Sequence, residues 1–548
     1  MTQPDELKKS EPLVWSSGIG TDVWELFCAC IAGDVATVQR LFSKDPSLAR
    51  CQHAYRKPLY FAVRENRLAV VGFLLERDKN PIGFAVNDSL IEIARDRGYA
   101  EMESLLTTKL ATLHNISPKG EPVAEAIRQR DAPTMRSLLY ASPELLHAGD
   151  LRSNQPIHWA TMTRQIDLID ELLQRGADIN ARRCDGAQPI HLNNGDYHYR
   201  GWDRVPKDTA PTPREVYEHL RQRGAFCDIC TAAWFGDLNR VRELCDQDLS
   251  LANRASEVVS YYACSGTPLR NAAAGGHIEI VRLLLERGAD PNLPEEGIAP
   301  RGHALHSAVV RGHIEIVKLL LAHGAHPNVE IESSADTLSA AMSSAGYSTK
   351  PNHEMVELLC SHGAARGVHL LAYSGVVLTA AAVFAANPAL ANDPDALANA
   401  AGEGKDAFVR LMLRYQPDLP RRVEFPGWSV GAKTRELNEL LFQHGMNANA
   451  ADWLGITTLH HLAGQGDVEK AGWFLDHGAD LHARDEDLCS TPLGWAAKFG
   501  RTEMVKFLLD RGAKANLPDD PPWATPLAWA TRRGHSEIVE LLKRHEAP

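Results

Sequence analysis

Apolar side chains recur along this chain at the three-and-four spacing of amphipathic helices, in short blocks that are themselves repeated. One block begins at His277 and reads His-Ile-Glu-Ile-Val-Arg-Leu-Leu-Leu, and nearly the same letters begin again at His313, 36 residues later. A period of this length is typical of proteins built from stacked repeats. The pattern therefore predicts a row of short helical hairpins, since one hairpin cannot bury its apolar face alone.

The residues around this block predict where its helices begin and end. Thr267 can cap a first helix, and Pro268 suits the first position because proline needs no hydrogen-bond partner there. Gly275-Gly276 ends that helix, and Gly288 follows the second helix where a left-handed backbone is favoured. Each unit is thus expected to contain two short helices joined by a glycine turn.

The opening Thr267-Pro-Leu and the close Gly288-Ala-Asp-Pro-Asn are similar to the ankyrin repeat. The chain resembles members of the ankyrin repeat family over almost its whole length, in the manner of bacterial multi-ankyrin proteins. This resemblance implies an all-α solenoid of stacked helix-turn-helix units with projecting β-hairpin or loop fingers. It also implies a ligand surface made by the fingers and the first helices, but it says little about the ligand.

The repeated openings and glycine turns divide the chain into about sixteen units. The clearest openings begin at Gln155, Gln188, Thr267, Thr457, Thr491 and Thr525. The expected organisation is a flexible segment over 1–20, repeats over 21–181, an atypical repeat with a long insertion over 182–226, and repeats ending in a capping unit over 227–548.

Charge and composition narrow the class of function. The chain has 58 Lys and Arg against 70 Asp and Glu, and the net charge of −12 argues against broad attraction to nucleic acid or an anionic membrane. The first residues contain no apolar run of signal-peptide length, and ten cysteines in 548 residues do not suggest a disulfide scaffold. We therefore expect a cytoplasmic protein.

The stretch from Gly367 to Asn392 contains no Asp, Glu, Lys or Arg and has the length of a membrane span. Ser374-Gly375 divides this stretch, however, and Asn387-Pro388 ends it. We therefore expect two short buried helices of one repeat rather than a helix that crosses a membrane.

The segment 182–213 is the least repeat-like part of the chain. After the opening at Gln188, polar and aromatic residues replace the small residues of a first helix, and such insertions are often functional. Residues suited to a polar ligand or partner are His191, Asn193, Asn194, Asp196, Tyr197, His198, Arg200 and Trp202. Two alternatives stay open, namely a metal site formed by His191, Asp196 and His198 and a loop with a structural role alone.

Large side chains mark a second candidate surface. In the ankyrin pattern the residue after each opening projects from the first helix onto the concave side, and this position holds Phe61, Trp159, His461, Trp495 and Trp529. Exposed rings there would be a contact face for a partner, whereas the alternative is that neighbouring long side chains cover them. If the rings are exposed, replacing Trp495 and Trp529 by alanine removes partner binding and changes stability little.

Carboxylates cluster at the expected finger positions. These residues are Glu295-Glu296, Glu330, Glu332, Asp485-Glu-Asp487 and Asp519-Asp520. They would favour a basic partner or steer a cationic ligand, and the simpler alternative is that water solvates them. The pair Cys227 and Cys230 has the spacing of a metal or redox site, but no second pair follows at zinc-site distance, so structural cysteines are expected.

Two functions of different class follow from these patterns. The first is a non-catalytic scaffold that binds a protein partner through its concave aromatic face and acidic fingers. The second is a small-molecule binding protein or enzyme, with a pocket at residues 191–202 for a sugar-like polar substrate. The sequence has no phosphate-binding glycine loop, no Gly-x-Ser-x-Gly elbow and no His-Glu-x-x-His motif. A non-catalytic role is therefore favoured, without excluding an enzyme, and no metal or cofactor is predicted.

Overall fold

The computed structural model describes residues 1–78, 81, 89–193, 211–257, 264–295, 301–329, 331, 336–342, 352–365 and 367–546. Within these ranges the secondary structure is helical, with three isolated β-bridges and no β-strand. The chain forms two compact units. The larger unit comprises Lys9–Arg95 and Tyr99–Ala364, and the smaller unit comprises Met1–Lys8, Asp96–Gly98 and Ala365–Pro548.

The first nineteen helices lie in or border the larger unit. They are α1 Gly20–Ala32, α2 Val35–Lys44, α3 Pro58–Arg64, α4 Leu68–Leu75, α5 Leu90–Asp96, α6 Ala100–His114, α7 Glu121–Arg128, α8 Ala132–Ala141, α9 Pro156–Met162, α10 Ile166–Gln174, α11 Pro213–Gln222, α12 Ile229–Trp234, α13 Leu238–Gln247, α14 Pro268–Gly275, α15 Ile278–Glu286, α16 Ala304–Val310, α17 Ile314–Ala322, α18 Thr337–Met342 and α19 His353–Ser361.

The remaining helices belong to the smaller unit. They are α20 Val368–Ser374, α21 Val377–Ala386, α22 Pro394–Gly402, α23 Asp406–Tyr415, α24 Arg435–Gln443, α25 Thr458–Gln465, α26 Val468–Asp476, α27 Pro492–Lys498, α28 Thr502–Asp510, α29 Pro526–Arg532 and α30 Ser536–Glu546. Short 3₁₀ turns occur at Glu6–Lys8, Pro46–Arg50, Pro118–Gly120, Pro143–Leu146, Pro189–His191, Leu249–Asn253, Pro388–Ala391 and Leu419–Arg422.

The helix boundaries predicted for the repeat that begins at Thr267, which we call the central repeat, are confirmed. The Thr267 hydroxyl accepts a hydrogen bond from the backbone N–H of Arg270 at 3.1 Å, and Pro268 is the first residue of α14. Gly276 and Gly288 have φ of 78° and 83°, the left-handed region in which glycine is favoured. Local capping therefore fixes this helix pair.

Helices pack in two rows, which is how short hairpins share a core. First helices contact first helices, as in α12 with α14, α14 with α16, and α25 with α27. Second helices contact second helices, as in α13 with α15, α15 with α17, and α26 with α28. Each hairpin thus buries its apolar side against its neighbours in the chain, as expected for stacked repeats.

Asparagine side chains tie one finger to the next. The Asn292 amide donates to the carbonyl of Gly324 at 2.8 Å, and its oxygen accepts from the N–H of His326 at 2.8 Å. Asn449 makes the same pair of bonds to Gly478 and Asp480, at 2.9 and 2.7 Å. The closing asparagine of the repeat therefore satisfies backbone groups that a helix end and a turn would otherwise leave unpaired.

The second helix α24 follows residues 423–434, which contain no helix. Before α11 the described residues form the 3₁₀ turn Pro189–His191, and residues 194–210 lie outside the described part of the chain. We call residues 423–434 the irregular segment. Pro426, Gly427 and Gly431 explain it, because these residues break helices.

The charge-free stretch forms α20 and α21, two short helices as predicted. Among the residues that the structure describes, no helix is both long and apolar enough to cross a membrane. The expectation that both helices are buried was only partly right, since Leu378 on α21 is 88% exposed.

The domain boundaries predicted from the sequence stay a prediction. The insertion that defines the atypical repeat is described only to residue 193 and again from residue 211. In the segment 1–20, which was expected to be flexible, a 3₁₀ turn at Glu6–Lys8 buries Leu7 completely.

Candidate functional site

Histidines of the helix openings serve as structural links. In His158 the Nδ1 atom accepts from the N–H of Gln155 at 3.0 Å, so Nε2 carries the proton and donates to the carbonyl of Ala181 at 3.0 Å. His460 is held in the same way by the N–H of Thr457 and the carbonyl of Ser490, both at 3.1 Å. Burial lowers the pKa of His158 to about 3, so this imidazole is neutral at neutral pH.

His191 departs from this arrangement. Its Nδ1 accepts from the N–H of Gln188 at 3.0 Å, but its buried Nε2 has no hydrogen-bond partner in the described structure. Two residues later, both amide atoms of the fully buried Asn193 also lack partners among the described residues. Such atoms are uncommon in protein interiors and each needs an explanation. The other predicted residues of this site, Asn194, Asp196, Tyr197, His198, Arg200 and Trp202, lie outside the described residues.

The rings expected on an open concave face are buried instead. Phe61 and Trp529 are completely buried, Trp159 and Trp495 are nearly so, and His461 is half-buried. Basic side chains cover the faces of three rings, those of Phe61, Trp159 and Trp529, whereas aromatic rings pack around Trp495. The Arg128 guanidinium lies 4.6 Å from the Trp159 ring centre, and the Lys498 ammonium lies 4.5 Å from that of Trp529. The alternative reading, in which neighbours cover the rings, describes these four positions, and their role in binding a partner stays untested.

Two of these indoles are anchored by carboxylates of the preceding finger. The Asp150 carboxylate accepts from the indole N–H of Trp159 at 2.7 Å. Asp485 accepts from the indole N–H of Trp495 at 2.9 Å and from the backbone N–H of Asp487 and Leu488 at 2.7 and 2.6 Å. A buried carboxylate that gathers several donors in this way organises the turn around it.

The predicted acidic fingers therefore need correction. Asp485, Asp487 and Glu295 are buried, so they are neither exposed charges nor simply solvated ones. Asp519 and Glu486 are exposed, whereas Asp520 is partly buried and pairs with Arg484 at 2.6 Å. Glu296, Glu330 and Glu332 lie outside the described residues.

Glu295 instead belongs to a buried polar cluster beneath the central repeat. It accepts from the N–H of Thr267 at 3.3 Å, and its other oxygen lies 3.2 Å from Nδ1 of His303. Burial acts to raise the pKa of Glu295, but His303 and the nearby charge of Arg270 outweigh burial, so the pKa is lowered. Glu295 therefore stays ionised and stabilises the opening of α14 rather than a surface.

An open groove of about 660 Å³ lies beside the turns between α7 and α8 and between α9 and α10. It is lined by three arginines and three carboxylates, Arg130, Arg136, Arg164, Asp167, Glu171 and Glu215. Arg136 pairs with Glu171 at 2.7 Å. The opposite charges balance, so the groove favours neither a cationic nor an anionic ligand.

Sequence reasoning missed Trp428, which the irregular segment holds on the surface with 68% of its area exposed. The segment is fixed on both sides, because the N–H of Lys433 donates to the carbonyl of Ala401 at 2.9 Å and the Gln465 amide donates to the carbonyl of Gly427 at 2.9 Å. The signal in the sequence was Pro426-Gly427 at a place where the repeat period calls for a first helix.

Cys227 and Cys230 are buried, and burial raises the pKa of Cys227 to about 11, so its thiol is protonated. Among the residues that the structure describes, no group of three or more His, Cys, Asp or Glu side chains is placed to hold a metal ion. Asp196 and His198 lie outside the described residues, so the metal alternative at His191 stays a prediction.

The stacked helical hairpins define an α-helical repeat protein. Ankyrin repeat family models match residues 154–183, 229–331, 428–519 and 486–548. Together with the capped helix pairs and the bridging asparagines, these matches show that the chain contains ankyrin repeats over these residues. Proteins of this family generally act by binding other proteins.

Curated relatives are similar to part of the chain. A probable E3 ubiquitin-protein ligase from Oryza sativa subsp. japonica, XBOS32, is 29% identical over 194 residues, covering 32% of this chain and 39% of that protein. The E3 ubiquitin-protein ligase XBAT32 from Arabidopsis thaliana is 27% identical over 195 residues, covering 32% and 37%. Inversin from Homo sapiens is 24% identical over 213 residues, covering 38% and 20%. The chain therefore spans well under half the length of these three relatives.

Proposed function

We propose that this protein is a non-catalytic scaffold that binds a protein partner through the first-helix row of its smaller unit. The observation that supports this most is the exposed indole of Trp428, which lies in that row beside His461. A β-carbon on Gly427 would come within 3.1 Å of the His461 ring, so the turn carrying Trp428 packs directly on α25. Tryptophan is frequent among the residues that anchor protein partners.

The buried rings contribute to this surface indirectly. Trp495 packs its ring 5.7 Å from that of His461, with the two planes at 79°. It therefore supports the half-buried His461 from below, while Trp428 supplies exposed apolar area. The proposed contact face is narrower than the row of five rings expected from the sequence, and it is centred on Trp428 and His461.

A photo-crosslinking experiment tests the proposal. A photoreactive phenylalanine derivative is placed at position 461 of the full chain, or at position 378 on the exposed face of second helix α21, in cells of the source organism. We expect a discrete crosslinked protein from position 461 and none from position 378, because only the first-helix row contacts the partner. Equal products from both positions, or none from either, would contradict the proposed function.

A second candidate function is the binding of a small polar molecule at His191 and Asn193. It is supported by the N–H of His191 and the donor and acceptor of Asn193, all buried and all without a partner among the described residues. Leaving such groups without partners costs about 1–3 kcal/mol each, and a ligand that pairs with them would relieve that cost on binding. A neutral ligand with neighbouring hydroxyl or amide groups, such as a sugar, has this chemistry.

Replacement of Asn193 by leucine tests this second function. Because the Asn193 amide has no partner in the part of the chain that the structure describes, Asn193→Leu should leave the melting temperature of the unliganded chain unchanged or higher. The matched variant Asn271→Leu should lower the melting temperature, because the Asn271 amide donates to the carbonyls of Ser265 and Thr267 at 2.7 and 2.9 Å. In a thermal-shift screen of neutral polar metabolites, a stabilising compound should lose its effect in Asn193→Leu. If no compound stabilises the chain, the second function is wrong.

A further inference from the structure

The irregular segment is a fixed part of the fold rather than a loose loop. Its side chains Val423, Phe425, Val430 and Ala432 are buried, and the Lys470 ammonium donates to the carbonyl of Val430 at 3.0 Å. A hydrogen bond from the N–H of Ser429 to the carbonyl of Pro426, 2.8 Å long, closes the turn that presents Trp428. The backbone that carries the exposed indole is therefore fixed before any partner arrives, which reduces the backbone entropy lost on binding.

The backbone next to this turn is open to pairing. Val423 is extended, with φ −72° and ψ 126°. Within the part of the chain that the structure describes, neither the N–H nor the C=O of Glu424 or Phe425 is in a hydrogen bond. An extended peptide can add its own backbone hydrogen bonds to such a stretch, as in β-strand addition.

Two carboxylates beside this stretch, those of Glu424 and Asp395, carry the charge that a partner could meet. Glu424 and Asp395 are exposed, and neither forms an ion pair with a described residue. Loss of water around the carboxyl and the charges of Asp452 and Asp395 raise the pKa of Glu424. Loss of water and the charge of Asp393 likewise raise the pKa of Asp395, although His369, which pairs with Asp393 at 3.1 Å, acts in the opposite direction. Each carboxylate therefore stands among like charges, and a cation placed between them would relieve the repulsion.

The nearest basic side chains in the sequence are already engaged elsewhere. Arg421 pairs with Asp418 at 3.3 Å, and Arg422 donates to the side-chain oxygen of Asn392. They leave the carboxylates of Glu424 and Asp395 available to a cation supplied by another molecule.

We propose that the irregular segment binds a short extended segment of the partner that carries arginine or lysine. This proposal rests on the proposed function and names the chemistry of the partner. The peptide backbone pairs with Glu424 and Phe425, and basic side chains contact the Glu424 and Asp395 carboxylates and the face of the Trp428 indole. Trp428 lies four residues after Glu424, within about 14 Å along the chain, so one short peptide reaches both.

Fluorescence anisotropy with labelled peptides tests the proposal. The probe is a short peptide in which arginine alternates with alanine, so that its basic side chains lie on one side when extended, and its counterpart carries glutamate instead of arginine. The full chain should bind the basic peptide and not the acidic one. Trp428→Ala should weaken binding about tenfold, the loss expected for a desolvated cation–π contact. Glu424→Gln should weaken binding and reduce its dependence on salt.

Two controls separate this site from general attraction to an acidic protein. Asp519→Asn removes an exposed carboxylate, and Leu378→Ala removes an exposed apolar side chain, both in the same unit. Neither should change the affinity. The proposal is overturned if the basic peptide does not bind, or if Trp428→Ala and Glu424→Gln bind it as the unchanged chain does. Crosslinking at position 461 together with unchanged peptide binding by these two variants would leave the scaffold function standing and remove only the Trp428 site.

Discussion

Replacement of Trp529 by alanine is expected to destabilise the smaller unit by about 3–5 kcal/mol, the usual loss when a large buried aromatic ring is removed. Trp529 is completely buried, and its indole N–H donates to the Ser490 hydroxyl at 2.8 Å. Its ring packs against Trp523 at 5.9 Å and beneath the Lys498 ammonium. The variant therefore leaves a cavity and removes one of the two aromatic rings near the buried Lys498 ammonium. This reverses the expectation from the sequence that the ring binds a partner and contributes little to stability.

The measurement is urea-induced unfolding, with amide hydrogen exchange in α27 and α29 as the readout. Local exchange is needed because a long repeat chain does not have to unfold in a single step. Trp428→Ala is the matched control and should change the free energy of unfolding by less than about 0.5 kcal/mol, since that ring is exposed. A Trp529→Ala variant as stable as the Trp428→Ala variant would show that Trp529 is not part of the core.

The fold could be predicted from the sequence because its signals are local. Thr267, Pro268 and Gly288 set helix boundaries through their own backbone and capping chemistry, and these boundaries are found where expected. The 36-residue offset between two nearly identical blocks predicted stacked helix pairs, since each block encodes one apolar face.

The candidate surface could not be predicted in the same way, because exposure depends on residues of neighbouring units. Nothing in the letters around Trp495 shows that Asp485 accepts a hydrogen bond from its indole, or that His460 and Phe499 pack against its ring. A tryptophan on a first helix, such as Trp495, is therefore covered by its neighbours. The exposed Trp428 occurs where the first helix is missing and the neighbours cannot close over it.

Burial of Asp485 was missed for a related reason. An acidic residue in a finger has the composition of a solvated loop, and only the fold of the loop reveals how many donors it gathers. Asp485 and Asp519 come from the same set of predicted finger carboxylates, yet the first is buried and the second is exposed. The two residues are thus a matched pair for separating a structural carboxylate from a surface charge.

Asp485→Ala is expected to destabilise the smaller unit by about 3 kcal/mol or more. The substitution removes the acceptor of the backbone N–H groups of Asp487 and Leu488 and of the Trp495 indole, and each buried donor left unpaired costs about 1–3 kcal/mol. Thermal unfolding should begin at a lower temperature, with faster hydrogen exchange in the turn before α27. Asp485→Asn, which keeps a side-chain oxygen, should recover part of the loss, and Asp519→Ala should behave as the unchanged chain. If Asp485→Ala and Asp519→Ala unfold alike, Asp485 is a surface charge like Asp519, and the finger carboxylates would again be candidates for contact with a partner.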